Sequence, residues 1–193
     1  MAATRPPRTI FDIEGHLQFV TFSCYRKFQF LGRDRCKQIV LAHLDRWGWQ
    51  ERVGVVGYVV MPDHVHALLR PAEPGCLSPF MQLWKRESSR HIHAFLRLGD
   101  GAAPFGARVR DDAGRVHCWN KRYYPFNVYS MKKAIQKLEY MHHNPVRQGL
   151  AEDPCAWAWS SARYWQQGIR PPVRMCGIEG SFPWERSAKR VQA

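Results

Sequence analysis

The sequence lacks the features that would place it in a membrane or among secreted disulfide-rich proteins. It contains no apolar run of the ~18 residues that a membrane-spanning helix needs, and residues 1–7 do not resemble a signal peptide. Its six cysteines include no C-x-x-C pair, so their spacing supports neither a zinc ribbon nor a disulfide framework. We therefore expect a cytoplasmic protein with no membrane partner and with reduced, mostly packed cysteines.

Acidic residues are also scarce relative to basic ones. The chain has 16 Asp and Glu against 29 Lys and Arg, which gives a formal net charge of +13 over 193 residues. A chain of this length forms one well-buried domain, and so large a positive surplus on one domain indicates a polyanionic partner. Nucleic acid is the leading candidate, which predicts a location at the nucleoid.

The hydrophobic periodicity predicts an alternation of strands and helices. The predicted elements are, in chain order, a strand over 16–24, a helix over 33–47 ended by Gly48, a hairpin of strands over 53–61 and 64–70, a helix with Ser78 as N-cap and Pro79 in its first turn, a strand within 115–128 broken at Pro125, and a helix from Ser130 to about His143 that Pro145 stops. This order predicts an α+β protein with the ferredoxin-like split βαβ arrangement. We expect an antiparallel sheet with helices on one face and the active site on the other.

Composition divides the chain into one folded domain and a tail. Residues 1–165 are predicted to form one domain, within which the Gly-, Ala- and charge-rich stretch 99–114 is a loop insertion. The aromatic segment after Pro154 is expected to pack on the core. Residues 166–193, with mixed charge and a Pro-Pro pair, are predicted to form a C-terminal tail without assured order.

Two histidine pairs share the pattern H-x-H but differ in context. His64 and His66 lie on a predicted strand, where alternate side chains project from the same face about 7 Å apart and can reach one metal ion. His91 and His93 lie in a predicted helix on opposite sides, so we assign them to its surface. A histidine-triad hydrolase would require a third histidine where Leu68 stands. A pair such as His64 and His66, taken alone, would more often face solvent.

The third predicted helix has two distinct faces. Lys133, Lys137, Tyr140 and Asn144 share one stripe at helical spacing. The opposite stripe, expected against the sheet, contains Met131, Ala134, Ile135, Leu138, Met141 and His142. Tyr140 alone would be read as an ordinary surface tyrosine.

Together the histidines and the tyrosine stripe suggest phosphoryl chemistry. A phenol with a pKa of about 10 needs a polarised target or a stabilised phenolate to act as a nucleophile. A metal at His64 and His66 could polarise a phosphate, and the side-chain oxygen of Asn144 could complete the metal site. Lys133 or Lys137 would neutralise the phosphodiester or favour the phenolate.

A basic, aromatic stretch precedes this helix. Residues 113–138 contain six Lys or Arg and no acid, which suits a phosphate backbone, and Lys121 and Arg122 are candidate DNA contacts with Lys133 and Lys137. Four aromatic residues of the same stretch could stack on unpaired bases or pack in the core. They are Trp119, Tyr123, Tyr124 and Phe126, and for any single one of them the core is favoured.

Three motifs stand out together: GYVVMPDHVHALL at 57–69, LEYMHHNPVRQGL at 138–150 and WSSARYW at 159–165. They resemble those of one family, the single-tyrosine HUH transposases, and within it the REP-associated tyrosine transposases. The order of the elements also agrees from about residue 10 to 165. The stretches 119–130 and 99–114 depart from the family pattern, and both departures concern DNA recognition more than chemistry.

The resemblance implies a role for each residue of the candidate site. His64 and His66 match the metal ligands, Tyr140 matches the nucleophile, and Asn144 matches a third ligand position that holds Gln or Asn in relatives. The implied metal is Mg²⁺ or Mn²⁺. The implied reaction cuts hairpin-bearing single-stranded DNA through a 5′-phosphotyrosine link and rejoins it by attack of a 3′-hydroxyl.

Several points stay open from the sequence. Arg5 and Arg8 are either further DNA contacts or part of a flexible arm. A homodimer is compatible with the sequence, and the tyrosine could serve its own subunit or a partner. The alternative functions are a domesticated protein that binds structured nucleic acid without cutting it, and a metal-dependent phosphoesterase that uses a metal-bound water.

Overall fold

A four-stranded antiparallel sheet organises the chain, and its strand order is β2-β3-β1-β4. The computed structural model describes residues 15–97 and 117–178. The elements are β1 (Leu17–Ser23), α1 (Asp34–Gln50), β2 (Val53–Val60), β3 (His64–Pro71), α2 (Leu77–Arg97), β4 (Tyr124–Val128), α3 (Met131–His142), α4 (Asn144–Arg147) and α5 (Ala162–Gln167), with 3-10 turns at Tyr25–Lys27, Phe30–Gly32 and Pro154–Ala156. The strand order is that of the split βαβ arrangement, so the predicted α+β, ferredoxin-like class is confirmed.

Helices α1 and α2 cover one face of the sheet. The strand residues that face them include Phe22 on β1 and Val65 on β3, which belong to the larger buried cluster. Trp84 on α2 is fully buried, contacts the ring of Phe22 edge-on and donates its indole N–H to the Val40 carbonyl at 2.9 Å. This layer is the helical face that the sequence predicts.

The third helix, α3, packs on the opposite face, where only the active site was expected. Leu138 and Met141 of α3 are buried against β2, in a second cluster that includes Phe19 and Leu68. Gly57 of β2 permits this contact, because a Cβ there would lie 2.4 Å from Leu138 Cδ2 and 2.5 Å from Met141 Cε. Helix α3 packs on this face because its apolar side must be removed from water. The candidate site therefore lies between α3 and the sheet.

The apolar stripe predicted for α3 is only partly buried. Ala134, Leu138, Met141 and His142 are buried, as expected. Met131 and Ile135 are exposed instead, at 38% and 44% of their surface. The buried stripe of α3 is thus narrower than the helical periodicity predicts.

Gly48 does not end α1, contrary to the prediction. The helix continues to Gln50, and the chain turns at Arg52, whose φ is 55°. A Cβ on Gly48 would lie 2.9 Å from the Val53 carbonyl oxygen. The glycine therefore allows α1 to approach β2 closely, and its role is packing.

Two other predicted boundaries differ from the structure. Helix α2 begins at Leu77, one residue before the predicted N-cap Ser78, and Phe80 N donates to the Cys76 carbonyl. Strand β4 runs through Pro125, which was expected to break it. A proline is tolerated there because β4 is an edge strand and has a partner on one side only.

The C-terminal segment completes the core. Trp157 and Trp165 donate their indole N–H groups to the β2 carbonyls of Val60 and Val56, as expected for a segment that packs on the core. The predicted tail also contributes to the core, because Val173 and Cys176 are buried. All six cysteines are free, and all except Cys76 are buried. None of the described helices is long and apolar enough to cross a membrane.

Candidate active site

His64 and His66 lie side by side on the site face of β3. Both side chains are largely buried, with 8% and 6% of their surface exposed, and their ring centroids are 4.7 Å apart. Val65 between them points into the opposite cluster. The strand geometry therefore brings the two imidazoles together, as the H-x-H spacing predicts.

Each imidazole is held through its Nδ1 atom. Thr21 Oγ1, from the neighbouring strand β1, lies 2.7 Å from Nδ1 of His66. Asp63 Oδ1 lies 2.5 Å from Nδ1 of His64, and the other carboxylate oxygen accepts from Lys27 Nζ at 3.2 Å. These contacts fix the orientation of both rings, and the Nε2 atom of each ring points away from its Nδ1 partner.

The charge states around the pair suit a cation. Burial, followed by the charges of His64 and Lys137, lowers the pKa of His66 to about 3. Its ring is therefore neutral at pH 7 and can donate a lone pair. Although burial by itself raises the pKa of Asp63, the hydrogen bonds and charges of His64 and Lys27 together lower it. This carboxylate is ionised beside the pair.

Tyr140 stands next to the histidines of its own chain. Its ring centroid is 5.7 Å from that of His66 and 6.2 Å from that of Phe19, and 43% of the residue is exposed. The tyrosine lies on α3 outside the buried stripe, as its helical position predicts. One chain thus contains both the histidine pair and an accessible phenol.

Asn144 reaches the same place from the turn after α3. It is the first residue of α4 and is 8% exposed, and its Nδ2 lies 3.5 Å from Nε2 of His64. Its Oδ1 accepts from Gln148 Nε2 at 3.3 Å. The amide therefore turns its nitrogen to His64, and metal coordination would require the opposite orientation, with Oδ1 towards His64.

Two cations flank the tyrosine ring. Lys137 Nζ is 5.8 Å from its centroid and also lies over the rings of Phe126 at 4.3 Å and Phe19 at 4.8 Å. Burial, then the charge of Lys133, lowers the pKa of Lys137. The guanidinium carbon of Arg147 is 5.2 Å from the Tyr140 ring. The two cations therefore place positive charge beside the Tyr140 ring, which favours binding of a phosphate there.

Sequence reasoning missed Arg147, Asp63 and Thr21. Arg147 follows Pro145, where the helix was expected to stop, and it lies on α4, so helical spacing from Tyr140 gave no signal for it. Asp63 directly precedes the histidine pair. Thr21 is 45 residues away from His66 in the chain, and only strand pairing brings the two together.

The structure describes some of the other predicted DNA contacts but not all of them. Lys121 and Arg122 are exposed just before β4, and the preceding Asn120 N donates to the carbonyl of Ser23, which pairs with His64. They therefore lie at the His64 end of the sheet. Lys133 Nζ lies 6.0 Å from the Phe126 ring centroid. The remaining two, Arg5 and Arg8, lie outside the described residues.

The second H-x-H pair is remote from this site. His91 is exposed on α2, and its Nδ1 lies 2.9 Å from Nε2 of His43 on α1. His93 is half-buried on the same helix. The prediction that this pair belongs to the helix surface is confirmed. Within 15–97 and 117–178, no three His, Cys, Asp or Glu side chains form a metal-binding group.

Comparison with known proteins places the chain among transposases. Residues 11–144 match the sequence model of the family described as "Transposase IS200 like". An uncharacterized protein of Haemophilus influenzae is 24% identical over 144 residues, which are 66% of this chain and 79% of that protein. A solved REP-associated tyrosine transposase bound to a REP hairpin superposes with a TM-score of 0.65 at 18% identity, over 92% of this chain and 95% of that one. At this identity, the structural similarity to the REP-associated transposase shows a shared fold only.

Proposed function

The chain belongs to the IS200-like transposase family, and from that premise we propose that it cuts and rejoins single-stranded, hairpin-bearing DNA through a covalent tyrosine intermediate. The observation that carries the proposal is the position of Tyr140. Its exposed ring lies 5.7 Å from His66 within one chain, beside a buried imidazole pair. We propose that these residues form one active site that acts on a phosphodiester.

The imidazole pair fits a divalent cation such as Mg²⁺ or Mn²⁺. His64 and His66 have their Nδ1 atoms engaged and both Nε2 atoms directed away from those partners, as in metal-ligating histidines. Asn144, with its amide turned over, would supply an oxygen as the third ligand. When bound, the cation would polarise the scissile phosphate and offset its negative charge.

Tyr140 would act as the nucleophile. Its phenol oxygen would attack phosphorus, and the bond between phosphorus and the 3′ oxygen would break. The phenol proton would pass to solvent, and the departing 3′ oxygen would become a hydroxyl by taking a proton from solvent. The products are a 5′-phosphotyrosine and a free 3′-hydroxyl, and attack by a 3′-hydroxyl on this link reverses the step and rejoins a strand.

Lys137 and Arg147 would support this chemistry electrostatically. Both place positive charge within 6 Å of the Tyr140 ring, at 5.8 Å and 5.2 Å. A nearby cation attracts the scissile phosphate and stabilises the negative charge that develops on it during the reaction. No partner subunit is required to assemble this set, and a homodimer stays a prediction.

The nucleic-acid partner is supported by charge and by a relative. The chain has a net charge of +13, and the structurally similar REP-associated transposase is bound to a REP hairpin. We therefore propose single-stranded or hairpin DNA as the partner. A protein with this function would work on the chromosome, at the nucleoid.

The test is formation of an SDS-resistant protein–DNA adduct. The protein is incubated with a hairpin-bearing single strand and Mn²⁺, and the label is placed at the 3′ end because a 5′-phosphotyrosine retains that part of the strand. Tyr140→Phe and His64→Ala are expected to abolish the adduct. Tyr129→Phe is the matched control, since Tyr129 is 70% exposed and its ring centroid lies 6.5 Å from that of His16, and it should retain the adduct.

Other outcomes would contradict the proposal in distinct ways. An undiminished adduct in Tyr140→Phe would remove Tyr140 from the nucleophile's role. Cleavage without any adduct would favour a phosphoesterase that uses a metal-bound water. Binding without cleavage over several metals and strands would favour a domesticated binding protein.

A further inference from the structure

Large hydrophobic side chains are exposed mainly in one part of the described structure. Of the eight such residues within 15–97 and 117–178, six lie between residues 124 and 140. They are Tyr124, Phe126, Tyr129, Met131, Ile135 and Tyr140. Three of them, Tyr124, Phe126 and Tyr140, border the site that contains the histidine pair. Exposed hydrophobic side chains next to a functional site indicate a surface that is covered by a partner.

Tyr124 and Phe126 belong to the same face of the sheet as the histidine pair. On the edge strand β4, Tyr124 pairs with Thr21, and Phe126 pairs with Phe19. Thr21 in turn pairs with His66 on β3 and bonds its ring. The side chains of Tyr124 and Phe126 therefore lie on the same face as the active site, and they extend it to the edge of the sheet.

The Phe126 ring combines an accessible surface with bound positive charge. Phe126 is 43% exposed, whereas its neighbour Phe19 is 5% exposed. The ammonium groups of Lys137 and Lys133 lie 4.3 Å and 6.0 Å from its centroid. An aromatic face for a base with cations for the backbone is the combination that single-stranded nucleic acid binds.

We propose that Phe126 and Tyr124, with Lys133 and Lys137 beside them, form a stacking site for unpaired nucleobases of the strand whose phosphate lies at Tyr140. The identity of that strand rests on the proposed function. The surface itself rests on exposure, strand register and charge. Duplex DNA would not fit this role, because its bases are already stacked on one another.

The test compares a strand with bases and a strand without them. Binding is measured by fluorescence anisotropy on labelled oligodeoxythymidylate and on an abasic oligonucleotide of the same length, in a Tyr140→Phe background that prevents cutting. Phe126→Ala is expected to weaken binding of the base-bearing strand about 5- to 100-fold and to leave binding of the abasic strand unchanged. Phe126→Trp should retain the affinity for the base-bearing strand that Phe126→Ala loses.

Two matched variants separate stacking from charge and from general damage. Lys137→Gln should weaken both strands and reduce the slope of log affinity against log salt by about 0.7. Ile135→Ala removes a side chain that is equally exposed but lies on the other flank of α3, and it should change neither. An equal loss on both strands in Phe126→Ala, or no loss on either, would overturn the stacking site.

The outcome is distinguishable from that of the proposed function. If the covalent adduct forms but Phe126→Ala binds both strands normally, the chemistry stands and the stacking site is wrong. If base-dependent binding is lost in Phe126→Ala but no adduct forms with Tyr140 present, the stacking site stands and the proposed reaction is wrong.

Discussion

The contact between Gly57 and α3 controls how closely the nucleophile approaches the histidines. In a Gly57→Ala variant, the new methyl group would lie 2.4 Å from Leu138 Cδ2 and 2.5 Å from Met141 Cε. Carbon atoms in contact normally lie about 3.5–4.0 Å apart, so α3 or these side chains must move by about 1 Å. Tyr140 lies on the same helix, between these two residues in sequence.

We expect Gly57→Ala to lower both stability and activity. Overpacking of this kind costs about 1–3 kcal/mol, which for a chain of this size corresponds to a fall in melting temperature of about 2–12 °C. Misplacement of a reacting group by about 1 Å reduces rate about 100-fold. The rate of adduct formation should therefore fall by up to about this factor, even at a temperature where the variant is folded.

Calorimetry and single-turnover adduct formation would measure the two effects. Gly32→Ala is the matched control, because a Cβ there meets nothing within 4 Å, and it should behave as the parent protein. Met141→Ala, combined with Gly57→Ala, opens space at the clash and should recover part of the rate. Unchanged stability and rate in Gly57→Ala would refute the argument that this glycine sets the position of α3.

Two further predictions concern ring orientation and protonation. Thr21→Val removes the hydroxyl at Nδ1 of His66 and should weaken Mn²⁺ binding about 10- to 100-fold, measured by isothermal titration, whereas Thr21→Ser should not. Burial, then the charge of His91, lowers the pKa of His43 below its usual 6.5, with Glu87 opposing the shift and Arg46 and Arg90 adding to it. The unfolded chain therefore binds more protons below about pH 6.5, so stability falls as the pH is lowered through this window. Urea unfolding of His43→Phe should show a shallower fall, and equal slopes would exclude His43 as a source.

Local patterns were sufficient to predict which residues bear the candidate chemistry. The alternation of β3 places His64 and His66 on one side, and the helical period keeps Tyr140 off the apolar stripe. These predictions depend only on the geometry of a single strand or helix. The order of the elements likewise limits the fold to a small number of topologies, of which the split βαβ arrangement is the one observed.

Contacts between distant segments could not be predicted in the same way. Thr21 meets His66 through strand pairing, and α3 covers the site face because Gly57 leaves room for Leu138. Gly48 was expected to stop a helix, but its missing side chain lets that helix approach β2. In each case the local sequence allows two readings, and packing against another element selects one.

The aromatic stretch shows this division most clearly. The sequence by itself determined that basic and aromatic residues alternate there, but it could not separate core from surface. In the tertiary structure Trp119 packs edge-on against Phe22 and donates its indole N–H to Ser88, whereas Phe126 remains exposed on an edge strand under Lys137. Exposure depends on which side of the sheet the neighbouring helices cover. Only the arrangement of the helices around the sheet decides it.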